Sequence, residues 1–307
     1  MDTLLQQLVN GLTLGSIYAL VALGYTMVYG ILGLINFAHG EVVMIGALTA
    51  LAVIKPLAAA GVPGPLAVLA GCVFSMLVCV CLGLFIERVA YRPLRRAPRL
   101  APLITAIGVS MVLQQVAMLS WGRMYHSFPQ LLPATARELG GAQITDVQIL
   151  IVIVATICMG GLQLLVNRTR LGRAMRATAE NPQIAALMGV DANRIIALSF
   201  AIGSALAAIA GVMVSANYGI AHYNMGFILG LKAFTAAVLG GIGNLAGAML
   251  GGVLLGLIEA LGAGYIGDLT GGFLGSDYQD VFAFFVLIGV LVLRPSGLMG
   301  EKLAERA

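Results

Sequence analysis

The segment "IIALSFAIGSALAAIAGVMVSA", residues 195–216, decides the fold class, because it contains no charged residue. About 20 apolar residues in a helix cross the roughly 30 Å hydrocarbon core of a bilayer. Similar runs occupy 101–121, 147–166 and 281–293 with its flanks. The chain is 60% hydrophobic and 10% charged, whereas soluble domains are about 25% charged. These properties predict an all-α polytopic membrane protein.

The apolar spans between the basic loops predict about nine transmembrane helices. They cover roughly 6–29, 40–54, 64–86, 101–121, 147–166, 195–217, 228–241, 249–263 and 278–293. Eight spans is the alternative, because "GILGLINFAHGE" (30–41) also fits a re-entrant break within one helix. The 40 glycines predict close packing of helix backbones. No linker is long enough to divide the chain, so we expect a single transmembrane domain over 1–307.

Lysine and arginine predict the orientation, since they concentrate in cytoplasmic loops. Basic residues fill two short loops and the tail: Arg88, Arg92, Arg95, Arg96 and Arg99; Arg168, Arg170, Arg173, Arg176 and Arg194; Arg294, Lys302 and Arg306. We therefore expect a cytoplasmic C-terminus, and an external N-terminus because the first basic residue is Lys55. The net charge of +4 indicates topology and contact with anionic lipid, not nucleic-acid binding.

A faint internal repeat relates two parts of the chain. "GLINFAHGE" (33–41) aligns with "GIGNLAGAM" (241–249), and both interrupt apolar runs at glycines. Paired glycine interruptions in two halves are typical of a transport pathway. The candidate pathway residues are Asn36, His39, Gly40, Glu41, Gly241, Gly243 and Asn244.

Charged residues near span ends have two interpretations each. His39 and Glu41 either cap helices at the inner membrane surface, or line and gate the path. Lys232 and Glu259 lie near the outer ends of their spans. They snorkel to the interface or form a mutual ion pair, or else they contact the substrate.

The hydrophilic segment "RATAENPQIAALMGVDANR" (176–194) predicts a short helix with its own start and stop. Asn181 is a favoured N-cap, and Pro182 fits the first helical position. Gly189 predicts the end of the helix, and Glu180 lies at its start, where the helix dipole favours negative charge.

Ile184, Leu187 and Met188 form an apolar stripe on this helix. A helix of about eight residues is not stable alone in water, so it must dock. It lies either on the membrane interface or in a groove of a cytoplasmic partner.

Several segments carry a resemblance to a known family. "TRLGRAMRATAENPQIAALMGVDANRIIALSFAIGSALAAIAGVM" (169–213) resembles the cytoplasmic coupling loop and following span of ABC-importer permeases of the branched-chain amino acid and ribose type. Three further segments are similar to this family, and more narrowly to its H-type subunit for leucine, isoleucine and valine: "NGLTLGSIYALVALGYTMVYGILGLINFAHGEVVMIGA" (10–47), "ERVAYRPLR" (87–95) and "KAFTAAVLGGIGNLAGAMLGG" (232–252).

The importer signature E-A-A-x-x-x-G is only partly present. Ala185, Ala186 and Gly189 match it only loosely, and Ile184 stands where glutamate is usual. The resemblance implies a type II-like permease fold with a cytoplasmic coupling loop at 167–194. It assigns a coupling role to Glu180, Asn181, Pro182, Ile184, Ala185, Ala186, Leu187, Met188 and Gly189, called here the coupling segment.

The resemblance also implies partners and a location. A second related permease subunit, two cytoplasmic ABC ATPase subunits and a periplasmic substrate-binding protein are expected, in the cell inner membrane. ATP and magnesium belong to the ATPases, since this chain has no G-x-x-x-x-G-K-[ST] loop. We expect no cofactor and no catalysis by the chain itself.

The implied substrates are leucine, isoleucine and valine. Urea, short amides and other neutral amino acids are the alternatives within the family. An ion-coupled transporter is a less favoured alternative, because acidic residues within the spans are few and near their ends. An intramembrane enzyme ranks last, since His39, His126 and His222 are scattered.

Overall fold

The computed structural model describes residues 2–95, 97–98, 100–129, 136–269 and 278–300. The helices are α1 Asp2–Leu32, α2 His39–Ala59, α3 Gly64–Ile86, a π-helix Glu87–Tyr91, α4 Leu100–Trp121, α5 Asp146–Arg168, α6 Arg170–Glu180, α7 Pro182–Leu187, α8 Ala192–Tyr218, α9 Met225–Gly240, α10 Leu245–Leu269 and α11 Gln279–Leu293. The strands are β1 His126–Ser127, β2 Ala136–Leu139, β3 Ala142–Thr145 and β4 Ile220–Ala221. Arg96, Arg99, Lys302 and Arg306, which contributed to the expected orientation, lie outside the described residues.

Within the described ranges, seven helices are long and apolar enough to cross a membrane. They are α1, α2, α3 with the π-helix, α4, α5, α8 and α10. The shorter apolar helices α9 and α11 coincide with the other two predicted spans. The prediction of a polytopic all-α membrane protein is therefore confirmed. Each of the nine predicted spans overlaps a helix.

Glycine contacts hold the central helices close together. A Cβ atom on Gly256 of α10 would lie 2.2 Å from the backbone nitrogen of Gly15 in α1. One on Gly252 would lie 2.4 Å from the backbone of Ala19. Backbones approach this closely only where side chains are absent or small. The predicted tight packing is therefore confirmed along the contact between α1 and α10.

The peripheral helices expose large apolar side chains. Leu77 of α3, Leu119 of α4 and Ile157 of α5 are all more than half exposed. In a membrane protein such faces are suited to contact with lipid. The helices α1, α2 and α8 are the most buried of the long helices and form the centre of the bundle, whereas α4 is the least buried and lies at its edge.

The two arginine-rich loops lie on the same side of the bundle. Arg95, in the first loop, donates a hydrogen bond of 2.6 Å from Nη1 to Oδ1 of Asn193, in the second loop. We call this the basic side. At the other ends of α4 and α8, β1 pairs with β4 antiparallel, and β2 pairs with β3 in a hairpin before α5. We call this the opposite side.

The predicted coupling loop contains two helices where the sequence predicted one. Thr169 caps α6 by accepting a hydrogen bond of 3.1 Å from the backbone N–H of Gly172. Met175 and Thr178 are buried on the inner face of α6, while its arginines are exposed. This amphipathic helix packs against α1, α5 and α8. It therefore holds the coupling segment in place on the basic side of the bundle.

Candidate functional site

The first helix break, residues 33–38, is non-helical backbone in which several polar groups have partners inside the protein. Gly33 adopts a positive φ of 63°, which ends α1. Oδ1 of Asn36 accepts a hydrogen bond of 3.2 Å from Ala38 N–H, and Asn36 O accepts one of 3.0 Å from His39 N–H. The Tyr91 hydroxyl lies 3.1 Å from Asn36 Oδ1 and 3.3 Å from Ile35 O. These contacts satisfy the break inside the protein, as a membrane requires.

The second break, residues 241–244, connects α9 to α10. Gly241 and Gly243 have positive φ values of 106° and 97°. Oδ1 of Asn244 accepts a hydrogen bond of 3.0 Å from Gly247 N–H at the start of α10. Its amide nitrogen donates to Met299 O at 2.9 Å, so residues 297–300 cover this break. The interruption predicted from the internal repeat is present in both halves.

The two breaks lie side by side. A Cβ atom on Gly30, near the end of α1, would lie 3.6 Å from the carbonyl oxygen of Gly243. Asn36 and Asn244, which align in the repeat, each hydrogen-bond to the backbone of their own break. Their observed contacts stabilise the breaks, while a role of these amides in a pathway stays a prediction.

His39 begins α2 inside the bundle. Its side chain is 2% exposed and its ring meets Tyr25 edge-on, with 4.9 Å between ring centroids. A Cβ atom on Gly24 would lie 2.1 Å from His39 Nε2, and Gly203, in the middle of α8, is also adjacent. The start of α2 is therefore surrounded by the interiors of two long helices. This position differs from the helix cap at the inner membrane surface that was one of the two interpretations of His39.

Glu41 joins three helices through its carboxylate. Oε1 accepts hydrogen bonds of 3.1 Å from Ser110 Oγ and 2.7 Å from Gln114 Nε2, both in the middle of α4. Oε2 faces the first turn of α9, since a Cβ atom on Gly226 would lie 2.7 Å from it. The helix dipole favours a negative charge there. Because α2 begins within the bundle, Glu41 lies in the interior of the bundle although it is near the end of its helix.

Gly40 packs directly on α9. A Cβ atom on Gly40 would lie 2.4 Å from Gly226 O and 2.8 Å from Gly230 Cα. The spacing of Gly226 and Gly230 leaves a flat strip on one helix face. A small residue is therefore required at position 40 by packing, whatever its role in transport.

The coupling segment has the predicted start and stop. Oδ1 of Asn181 accepts hydrogen bonds of 2.9 Å from Gln183 N–H and 3.1 Å from Ile184 N–H, and Pro182 is the first residue of α7. Gly189 adopts a positive φ of 83° after the helix. The helix has six residues, slightly fewer than expected. Glu180 is the last residue of α6, so it precedes the cap.

The predicted apolar stripe faces away from the described chain. Ile184 is 59% exposed, Leu187 86% and Met188 81%. Ala185, in contrast, is buried and anchors α7 against the protein, while Ala186 is exposed. The segment is a short, capped helix with uncovered apolar side chains on the basic side of the bundle.

The region of the π-helix connects the coupling loop to the first break. Its i+5 hydrogen bond runs from Arg92 N–H to Glu87 O at 2.8 Å. Arg95, just after it, donates to Glu87 and to Asn193, which lies at the start of α8 beyond the coupling segment. Burial lowers the pKa of the Arg95 guanidinium, and the Glu87 carboxylate opposes this shift. No sequence pattern predicted this π-helix, and π-helices are often found at functional positions.

An ion-pair cluster joins α1, α9, α10 and α11. Lys232 Nζ lies 2.7 Å from Glu259 Oε1 and 2.7 Å from Asp280 Oδ1. The Tyr18 hydroxyl donates to the same glutamate at 3.0 Å. The predicted pairing of Lys232 with Glu259 is therefore confirmed. Asp280 and Tyr18 were not predicted, because only the folded bundle brings their helices to this point.

Comparison with known proteins identifies the family. Residues 7–291 match the family described as "Branched-chain amino acid transport system / permease component". The chain is 52% identical to the high-affinity branched-chain amino acid transport system permease protein BraD of Pseudomonas aeruginosa, over 98% of this chain and 97% of that protein. It is 46% identical to the permease protein LivH of Escherichia coli over the same shares. No solved structure matches. The chain belongs to the permease component family of branched-chain amino acid transport systems.

Proposed function

We propose that this chain is one permease subunit of an ATP-driven importer of leucine, isoleucine and valine. Its relatives are named as high-affinity branched-chain amino acid permeases over nearly their whole length. In this proposal the chain pairs with a second related permease subunit in the cell inner membrane. The basic side is cytoplasmic, following the distribution of arginine, and the C-terminus lies on that side.

The observation that carries the proposal is the exposed apolar stripe of α7. A helix capped at both ends transmits a force applied to it, and Leu187 and Met188 suit a groove in a soluble partner. Two cytoplasmic ATPase subunits are the proposed partners, and they bind the ATP and magnesium. The chain itself needs no cofactor and carries out no chemistry. A periplasmic binding protein delivers the amino acid to the opposite side.

The contacts support a route for the force. Movement of α7 shifts the start of α8, where Asn193 holds Arg95. Arg95 is fixed to the π-helix through Glu87, and Tyr91 of that helix holds the first break. Switching between outward and inward access then occurs by rearrangement at the two adjacent breaks.

Reconstitution tests this function. The chain is purified with its second permease, the ATPases and the binding protein, placed in liposomes and supplied with labelled leucine. We expect uptake that requires ATP and is competed by isoleucine and valine. Uptake driven by an ion gradient without ATP contradicts the proposal, and stronger competition by urea or short amides assigns the alternative substrates.

A further inference from the structure

A cavity of about 310 Å³ opens on the opposite side between α1, α8 and α9. Met225, Ile228, Leu229 and Lys232 of α9 all line it. Their spacing places them along one face of the helix, so the cavity follows α9 from its first turn inward. Sites for small molecules commonly enclose about 300–1,000 Å³, and this cavity lies at the lower end of that range.

The mouth of the cavity is built from ordered aromatic side chains. Tyr125 and His222 stack with 4.3 Å between ring centroids, and His222 Nε2 lies 3.1 Å from Arg123 O. The β1–β4 pairing holds both loops in place. The mouth is therefore fixed by contacts between two separate connections of the bundle.

Glu259 and Asp280 line a smaller void beside this cavity, and the charged cluster meets the cavity itself at Lys232. Lys232 lines it, and the Lys232 side chain is 14% exposed. An ammonium group has three N–H donors; Glu259 Oε1 accepts a hydrogen bond from Nζ at 2.7 Å, and Asp280 Oδ1 forms an ion pair with Nζ at 2.7 Å. Nζ also lies 5.9 Å from the centre of the Tyr18 ring, which lines the same cavity. Two carboxylates around one ammonium leave an excess of negative charge.

The walls above this cluster are apolar. Val214, Ile220, Ile228 and Leu229 line them. Ionisable residues within a membrane are costly and mark substrate or ion pathways, and a buried ion pair is weak evidence for stability. The combination of one ammonium, two carboxylates and an aliphatic wall complements a small zwitterion that carries an aliphatic side chain.

We propose that this cavity binds a zwitterionic aliphatic amino acid within this one subunit. The amino acid carboxylate contacts Lys232, its ammonium group faces the excess negative charge of Glu259 and Asp280, and its side chain contacts Ile228 and Leu229. This inference rests on the proposed function and adds the place where the substrate is held after release from the binding protein.

The first test uses two neighbouring substitutions in the reconstituted transporter. Ile228 lines the cavity and Phe227 does not, yet each is 55% exposed. Ile228→Trp fills the cavity, so we expect leucine uptake to fall about tenfold or more, which corresponds to loss of a single good contact. Phe227→Trp adds the same ring outside the cavity and leaves uptake unchanged.

The second test measures binding without transport. In Ile228→Cys, a membrane-impermeant maleimide added from the opposite side labels the new thiol, with the unmodified chain as background for the native cysteines. Leucine at about ten times its dissociation constant slows labelling about tenfold. Leucinol, which lacks the carboxylate, and 4-methylpentanoate, which lacks the ammonium group, do not. We expect Phe227→Cys to be labelled at the same rate with and without each of these three compounds.

The outcomes separate the two proposals. If the unmodified transporter imports no leucine, the proposed function fails. If it imports leucine while both tryptophan variants behave alike and leucine does not protect Ile228→Cys, the cavity is not a substrate site and the cluster is a structural ion pair. Equal protection by leucine and leucinol overturns the role of Lys232.

Discussion

The hydroxyl of Tyr91 lies 3.1 Å from Oδ1 of Asn36, a residue 55 positions earlier in the chain. Through this contact a π-helix at the basic side holds the non-helical backbone that separates α1 from α2. The same short region reaches Asn193 through Arg95. One segment of the chain therefore contacts both the coupling loop and a helix break.

Tyr91→Phe removes this hydrogen bond and keeps the ring that packs against Phe200. The cost in stability is about 1 kcal/mol, typical of one hydrogen bond. We expect leucine uptake per ATP hydrolysed to fall, because the break is no longer held to the π-helix. The measurement is uptake and hydrolysis in the same liposomes. Tyr29→Phe is the control, since Tyr29 makes no side-chain hydrogen bond among the described residues; equal ratios for both variants would contradict the expectation.

Leu187→Asp places a charge in the exposed apolar stripe of α7. Because Leu187 is 86% exposed, the fold of the chain should not change. Burying the new carboxylate in an apolar groove is unfavourable, so we expect the ATPases to dissociate on copurification. Gln183→Asp, an exposed substitution in the first turn of the same helix, should retain them. Retention of the ATPases by both variants would rule out docking through this stripe.

Glu41→Ala leaves Ser110 and Gln114 without their acceptor in the interior of the bundle. We expect a destabilisation of about 1–3 kcal/mol, because two buried donors lose their acceptor. The readout is the melting temperature of the purified protein in detergent. Glu138→Ala removes an exposed carboxylate on β2 and should leave the melting temperature unchanged. An unaltered melting temperature for Glu41→Ala means that α4 is held by its apolar contacts alone.

Gly40→Ala introduces a methyl group 2.4 Å from the carbonyl oxygen of Gly226. The backbones of α2 and α9 must separate to admit it, at a cost of about 1–3 kcal/mol. Gly160→Ala is the matched control in α5, where a Cβ atom meets no other atom within 4 Å. That substitution should be neutral or stabilising by up to about 1 kcal/mol. Thermal unfolding of both variants tests the difference, and similar melting temperatures would show that α2 can shift freely.

Local sequence patterns were sufficient to locate the spans and the coupling segment. Apolar runs report membrane helices because the bilayer has a fixed thickness. The start and stop of α7 were readable because the Asn181 cap and the Gly189 turn involve only nearby backbone. The positive φ at Gly33 and Gly241 likewise explains why the two breaks were visible.

The depth of a residue in the bundle and its contacts with distant residues could be seen only in the folded chain. Nothing local to His39 indicates that α2 begins beside Gly24 and Gly203. The third member of the charged cluster, Asp280, belongs to a helix that meets Lys232 only after packing. The helix α6 was missed because its arginines are typical of a solvated loop, although Met175 and Thr178 supply a buried face.

The pairing of α1 with α10 has a consequence for biosynthesis. Gly15 and Ala19 are made early, but their partners Gly256 and Gly252 leave the ribosome only after most of the chain has been translated. Until α10 is made, the surface of α1 at Gly15 and Ala19 has no packing partner. Contacts between residues so far apart in the sequence form slowly. A nascent chain that stops before α10 keeps this surface of α1 uncovered, and uncovered packing surfaces make incomplete chains prone to misassembly.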